Sequence, residues 1–117
     1  MMPAPIKPVV AKSVLDQIDI RIGTIESAAP VPGSGKLVSL HVDFGNHKRT
    51  ILSGMQQERP DLSVLVGKQA LFVVNLEPRK MAGILSEGML FDIGYEDGIM
   101  PALAMPEHPV PNGSRAG

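Results

Sequence analysis

Two neighbouring cations, Arg79 and Lys80, stand in the run Asn75-Leu76-Glu77-Pro78-Arg79-Lys80-Met81, which turns at Pro78 and returns through Gly83 to Ser86-Glu87-Gly88-Met89. Side chains of these types suit a polyanion. Arg79 and Lys80 can neutralise phosphates, Ser86 can donate a hydrogen bond, and Met81 or Met89 can offer a polarizable apolar surface to a base. The same run also reads as a solvated turn with a core methionine, and residue chemistry alone leaves both open.

Catalytic sets are missing from the rest of the chain. Ser53, in Leu52-Ser53-Gly54, lacks the glycine two residues upstream that a nucleophile elbow requires. His41, His47 and His108 are too scattered for metal spacing, and no cysteine or H-E-x-x-H accompanies them. Gly33-Ser34-Gly35-Lys36 has the look of a phosphate-binding loop, but it lacks the first glycine and the residue after the lysine that such a loop needs. It also precedes a strand instead of opening a helix, so it reads as a flexible turn with a lysine beside it. The acidic residues are dispersed. A non-catalytic protein without metal or cofactor is expected.

A polyanion binder must place its cations locally here, because 11 Lys and Arg stand against 12 Asp and Glu for a net charge of -1. With 117 residues there is room for one domain and its tails. Aromatics make up 3% of the chain and tryptophan is absent, so the core is thin and invites oligomerisation. The proline-broken start, Met1-Met2-Pro3-Ala4-Pro5-Ile6-Lys7-Pro8, develops no apolar stretch of the secretory kind, and no apolar run is long enough for a bilayer. A cytoplasmic protein is predicted, and Asn112-Gly113-Ser114 is then a turn and not a glycosylation site.

The elements that must position Arg79 and Lys80 are short strands. Ile18, Ile20 and Ile22 alternate with Asp19 and Arg21, after which the next apolar residue is Ile25; the slip falls at Gly23, where a bulge and a sharp bend are expected. Val38, Leu40, Val42 and Phe44 alternate with Ser39, His41 and Asp43, and Gly45-Asn46-His47 turns the chain into Arg49-Thr50-Ile51-Leu52. Gln69 to Leu76 is apolar without alternation, which predicts a strand covered on both faces. Met89 to Ile93 supplies a fifth strand, and Glu96-Asp97-Gly98 turns toward Met100 to Met105. Two short helices are expected. Ser13 caps one through Val14, Leu15 and Ile18; Pro60-Asp61 opens another with Leu62, Leu65 and Val66 inward, closing at Gly67. The sum is an all-β five-stranded OB-fold Greek-key barrel with short helical turns and extended termini, a small β-sandwich being the alternative. Residues 1–15 form an N-terminal arm and 16–117 the barrel with its C-terminal tail.

The Asn75 to Lys80 run and the Ser86-Glu87-Gly88-Met89 run resemble the paired N-L-x-P-R-K and S-x-x-M signatures of the tRNA-binding domain family. That family includes free-standing tRNA-binding proteins, CsaA-type proteins, the C-terminal domain of some methionyl-tRNA synthetases and EMAP II-like chains. Asp19-Ile20-Arg21-Ile22-Gly23, Lys36-Leu37, Val66-Gly67-Lys68 and Pro109-Val110-Pro111-Asn112-Gly113 agree with it in order. The resemblance implies an OB-fold that binds the outer corner of folded tRNA by shape, and a homodimer built from the two chain ends. Carried over position by position, the implied RNA contacts are Lys36, Asn75, Arg79, Lys80, Met81, Ser86 and Met89. Arg49 is added from its place on the hairpin. Glu77 and Glu87 depart from a basic site. The runner-up is a CsaA-type export chaperone holding unfolded preproteins, favoured by the Pro-Val-Pro-Asn-Gly ending. Against it, the paired serines and longer insertion usual there are replaced by Arg49-Thr50-Ile51-Leu52-Ser53-Gly54-Met55. An aminoacyl-tRNA synthetase is a further partner the resemblance allows.

Overall fold

The computed structural model describes residues 2–117. Its elements in chain order are α1 (Lys12–Asp16), β1 (Ile20–Pro30), β2 (Val38–Asp43), β3 (Lys48–Ser53), a 3-10 turn (Leu62–Leu65), β4 (Gln69–Val73), β5 (Arg79–Met81), β6 (Ile84–Ser86), β7 (Met89–Leu90), β8 (Asp92–Ile93) and β9 (Ala102–Leu103). Five of these strands form one antiparallel sheet in the order β3-β2-β1-β4-β7, curled into a half-barrel of the expected OB type. Val38, Leu40 and Val42 are fully buried, as the period-two pattern of β2 requires. They meet Ile25, Phe44, Ile51, Met55, Leu65, Ala70 and Phe72 in the main core.

The long strand β1 corrects one expectation. Its pairing slips between Ile25 and Ser27, not at Gly23. Gly23 stands opposite Ala70 on the core side, and a Cβ there would lie 2.5 Å from Val42 Cγ1 and 2.8 Å from the Phe44 ring. The glycine is therefore demanded by close approach. The apparent change of phase has a different cause: both faces of this strand are covered. Gly23 and Ile25 face the barrel core, while Ile22 packs on the other side beside Leu71, Leu103 and Met105. In β4, Ala70 and Phe72 are buried inward, while Leu71 on the other face is only half-buried, beside Ile22, Leu103 and Met105, so the run is not fully covered on both faces as expected.

The helical expectations also shift. The N-cap of α1 is Ala11 with no side-chain cap, and Ser13 lies inside the helix instead of starting it. Near Pro60 only the 3-10 turn forms, held by the Asp61 carboxylate accepting the Ser63 N–H at 3.0 Å. Leu65 is buried, whereas Val66 faces solvent. No helix among the described residues is long and apolar enough to cross a membrane.

The C-terminal segment is tied to the barrel by side-chain amides. Gln69 Nε2 donates to Val110 O (2.6 Å) and to Asn112 Oδ1 (2.9 Å), and Thr24 Oγ1 donates to the same Asn112 oxygen at 2.7 Å. At the other end, residues 2–11 run as a fully exposed extended arm.

Candidate nucleic-acid interface

The segment read as a basic loop is a regular hairpin. β5 and β6 pair Arg79 with Ser86, Lys80 with Leu85 and Met81 with Ile84. The two turn residues, Ala82 and Gly83, have φ of +49° and +80°, the signs that a tight hairpin turn matching the strand twist requires. Directly opposed residues share a face. Met81 and Ile84 accordingly face the barrel and close a second small cluster with Val31, Leu37 and Leu52. Lys80 and Leu85 face solvent.

That cluster joins the hairpin to the β1–β2 connection, which carries Lys36. Within the connection Val31 N–H donates to Leu37 O at 3.0 Å, Leu37 N–H donates to Ser34 Oγ at 3.1 Å, and Gln56 N–H donates to Lys36 O at 3.1 Å. The Lys36 backbone is held while its side chain stays exposed. Lys36, Arg79 and Lys80 are thus exposed on two segments joined through that cluster, and none has an acidic partner among the described residues. Of the other cations, Lys12 pairs with Asp16, Arg21 with Asp19, Lys48 with Glu26 and Arg59 with Asp92, while Lys7, Lys68 and Arg115 form no salt bridge among the described residues. Of these carboxylates, Asp19 is held below the usual carboxylate range by its hydrogen bond to Arg21. Asp92 is raised, because burial outweighs the attraction of Arg59 and Glu58 adds like charge.

Other expected contact residues have been given different work. Asn75 Oδ1 accepts the Asp19 N–H at 2.8 Å and its Nδ2 donates to Gln17 O at 2.7 Å, so the amide ties the N-terminal segment to the end of β4. Arg49 donates from Nη1 to Val74 O and to Glu87 O (3.0 Å), and from Nε to His47 (3.0 Å). Ser86 is only 4% exposed; its hydroxyl accepts the Leu52 N–H at 3.0 Å and donates to Gly88 O at 3.3 Å. Met81 packs in the second cluster, the bland reading of that methionine. Met89 stands opposite Val73, itself opposite Ile20, with its side chain 44% exposed. Asn75, Arg49 and Ser86 thus make internal hydrogen bonds to backbone groups, whereas Lys36, Arg79 and Lys80 are exposed without an acidic partner among the described residues. Sequence reasoning missed Leu85, which is 50% exposed beside Lys80. Its signal was available: a two-residue turn between Met81 and Ile84 forces Leu85 onto the opposite face with Lys80.

An OB-type half-barrel with exposed cations on two segments that share an apolar cluster suits a nucleic-acid-binding module. Residues 20–115 match the family model of the putative tRNA binding domain, and the chain belongs to that family. It is 44% identical over 99 residues to a methionine–tRNA ligase of Parabacteroides distasonis, covering 84% of this chain and 14% of the ligase. It is 42% identical over 112 residues to a methionine–tRNA ligase of Bacteroides fragilis, covering 92% of this chain and 16% of the ligase. The chain therefore spans a small part of those relatives. Among solved structures it resembles a MetRS-related protein of Pyrococcus horikoshii, with a TM-score of 0.87 and 34% identity over 95% of this chain and 100% of that one. It also resembles the chaperone CsaA of Bacillus anthracis, with a TM-score of 0.82 and 27% identity over 94% of this chain and 100% of that one.

Proposed function

We propose that this chain is a non-catalytic tRNA-binding protein of the cytoplasm that acts as a homodimer. The observation that carries the reading is the exposure of Lys36, Arg79 and Lys80: three cations without acidic partners, held by a hairpin and a loop that share one apolar cluster. Cations held this way suit the phosphates of a folded RNA, and shape is then read with little base contact. Met89 and Leu85 add exposed apolar surface to the hairpin region. Relatives that are methionine–tRNA ligases support tRNA as the nucleic acid and make a synthetase a reasonable partner.

Dimerisation is supported by apolar surface near the N-terminal end. α1 buries none of its residues, yet Val14, Leu15 and nearby Ile18 are exposed. A second copy would supply the missing cover, and doubling a modest cationic site strengthens binding to one large RNA. A sizing column run with the full chain should give twice the monomer mass.

A chaperone reading has one specific observation in its favour, an apolar groove lined by Ile22, Leu71, Ile93, Leu103, Met105 and Pro106. A gel-shift comparison of bulk tRNA, unstructured RNA and an unfolded preprotein separates the two. The tRNA reading expects a shift with tRNA that weakens as salt rises; a shift with the preprotein alone would overturn it.

A further inference from the structure

We propose that Ser86 and Glu87 serve tRNA binding as positioning residues: they close the barrel beneath the hairpin that carries Arg79 and Lys80, and neither touches the RNA. The proposal rests on the tRNA reading above and assigns these two residues a role at the same site.

The outer edge of β3 presents the amides of Thr50 and Leu52, which need acceptors from the chain that returns out of β6. Only one backbone bond forms there, from Glu87 N–H to Thr50 O at 2.9 Å. The two β3 donors are met by side chains instead. Thr50 N–H donates to Glu87 Oε1 at 3.3 Å, and Leu52 N–H donates to Ser86 Oγ at 3.0 Å. The chain turns away at once because Gly88 must lie against β4 and β3, where a Cβ would come within 2.8 Å of Val73 O and 3.1 Å of Ile51 Cδ1. Two side-chain oxygens thus complete a seam that a straight strand would close with carbonyls.

Closure fixes the platform. Leu52 contributes its N–H to the seam and its side chain to the cluster beneath Met81 and Ile84. Ser86 is the residue opposite Arg79 in the hairpin, so the same hydroxyl that holds Leu52 anchors the strand facing that cation. With its proton donated to Gly88 O, one lone pair taken by the Leu52 N–H and the residue buried, the Ser86 hydroxyl reaches RNA only if the hairpin lifts off β3. That would strip Leu52 of its acceptor and uncover the cluster. Glu87 is explained by the same seam. A carboxylate is a poor neighbour for phosphate, but a good acceptor for an edge amide.

Amide hydrogen exchange and tRNA affinity, measured on the full chain, test the assignment. In the wild type, saturating tRNA should leave the Leu52 and Thr50 amides at least as protected as in the free protein. In free Ser86→Ala, Leu52 should exchange about fivefold faster, the loss of one hydrogen bond, and tRNA affinity should fall by a similar factor with its salt slope unchanged. Ser86→Thr and Glu87→Gln keep the acceptors and should each retain wild-type protection and affinity. Loss of Leu52 protection on adding tRNA would overturn the proposal, as would a Ser86→Ala variant that binds tRNA more weakly while its Leu52 amide exchanges as in the wild type. A wild-type chain that binds no tRNA would remove the underlying reading. Accelerated exchange in Ser86→Ala with tRNA affinity intact would sink the positioning role alone.

Discussion

The chain contains two basic dipeptides, Lys48-Arg49 and Arg79-Lys80, each in a β-hairpin, and the fold uses them in opposite ways. Lys48 pairs with Glu26 across the sheet, and Arg49 turns its guanidinium onto the carbonyls of Val74 and Glu87, where β3 meets the barrel seam. Lys48 faces a carboxylate, and the Arg49 guanidinium, still charged, is anchored on neutral acceptors. Arg79 and Lys80 lie on a hairpin whose inner face is filled by Met81 and Ile84, so apolar packing holds the hairpin and the cations stay exposed. A basic dipeptide stays free for a ligand, then, when something else pins its strand.

Substitutions at either hairpin and at its supports probe this contrast. Arg49→Ala has the largest expected effect on stability, a loss of about 2–3 kcal/mol, because two carbonyls at the seam lose a charged donor. Equilibrium urea unfolding should show it, and an unchanged midpoint would deny Arg49 its structural role.

Smaller effects separate the two Arg–Asp pairs, Arg21–Asp19 and Arg59–Asp92, whose carboxylates are shifted in opposite directions. Asp19 has a lowered pKa, so its contribution is present above the ordinary carboxylate value and lost as pH falls through the folded-state value. Asp92 has a raised pKa, so its contribution is full below the ordinary value and lost as pH rises through the folded-state value. As pH rises from about 4 to 7, Asp92→Asn should therefore gain stability relative to the wild type, whereas the deficit of Asp19→Asn should stay level there and shrink only as pH falls below about 4. Parallel trends in the two unfolding series would contradict the assigned causes.

Ala82 occupies a left-handed conformation at φ +49°, which glycine adopts without strain. Ala82→Gly should stabilise the hairpin by roughly 0.5–1 kcal/mol, read as a rise in thermal midpoint with tRNA affinity retained. Lys48→Ala should change stability by less than about 0.5 kcal/mol, since its ion pair is exposed. A larger loss would mean that the Lys48–Glu26 bridge does more than its setting allows.

Much of this was legible in the sequence. Alternation in β2 appears in the structure as written, because that strand has one face to the core and one to solvent. β1 misled for the complementary reason: with Ile22 covered on one side and Ile25 on the other, no single periodicity remains, and Gly23 looked like a slip. At the candidate site, the cations could be named from their run, but residue type does not say whether a polar group is spent internally. Ser86, Asn75 and Arg49 all look like donors to a ligand. Their partners are backbone groups 34, 58 and 25 residues distant in the chain, and only the fold brings them together.

The opposite use of the two dipeptides is decided by the salt dependence of tRNA binding in two double variants measured side by side. Arg79→Ala with Lys80→Ala should weaken binding and make the log-log salt slope shallower by roughly 1.4 to 1.8, the value for two phosphates no longer neutralised. Lys48→Ala with Arg49→Ala should leave the slope of its folded fraction unchanged. The opposite pattern, a slope made shallower by removing Lys48 and Arg49 and kept without Arg79 and Lys80, would contradict the assignment of the binding cations to the second hairpin.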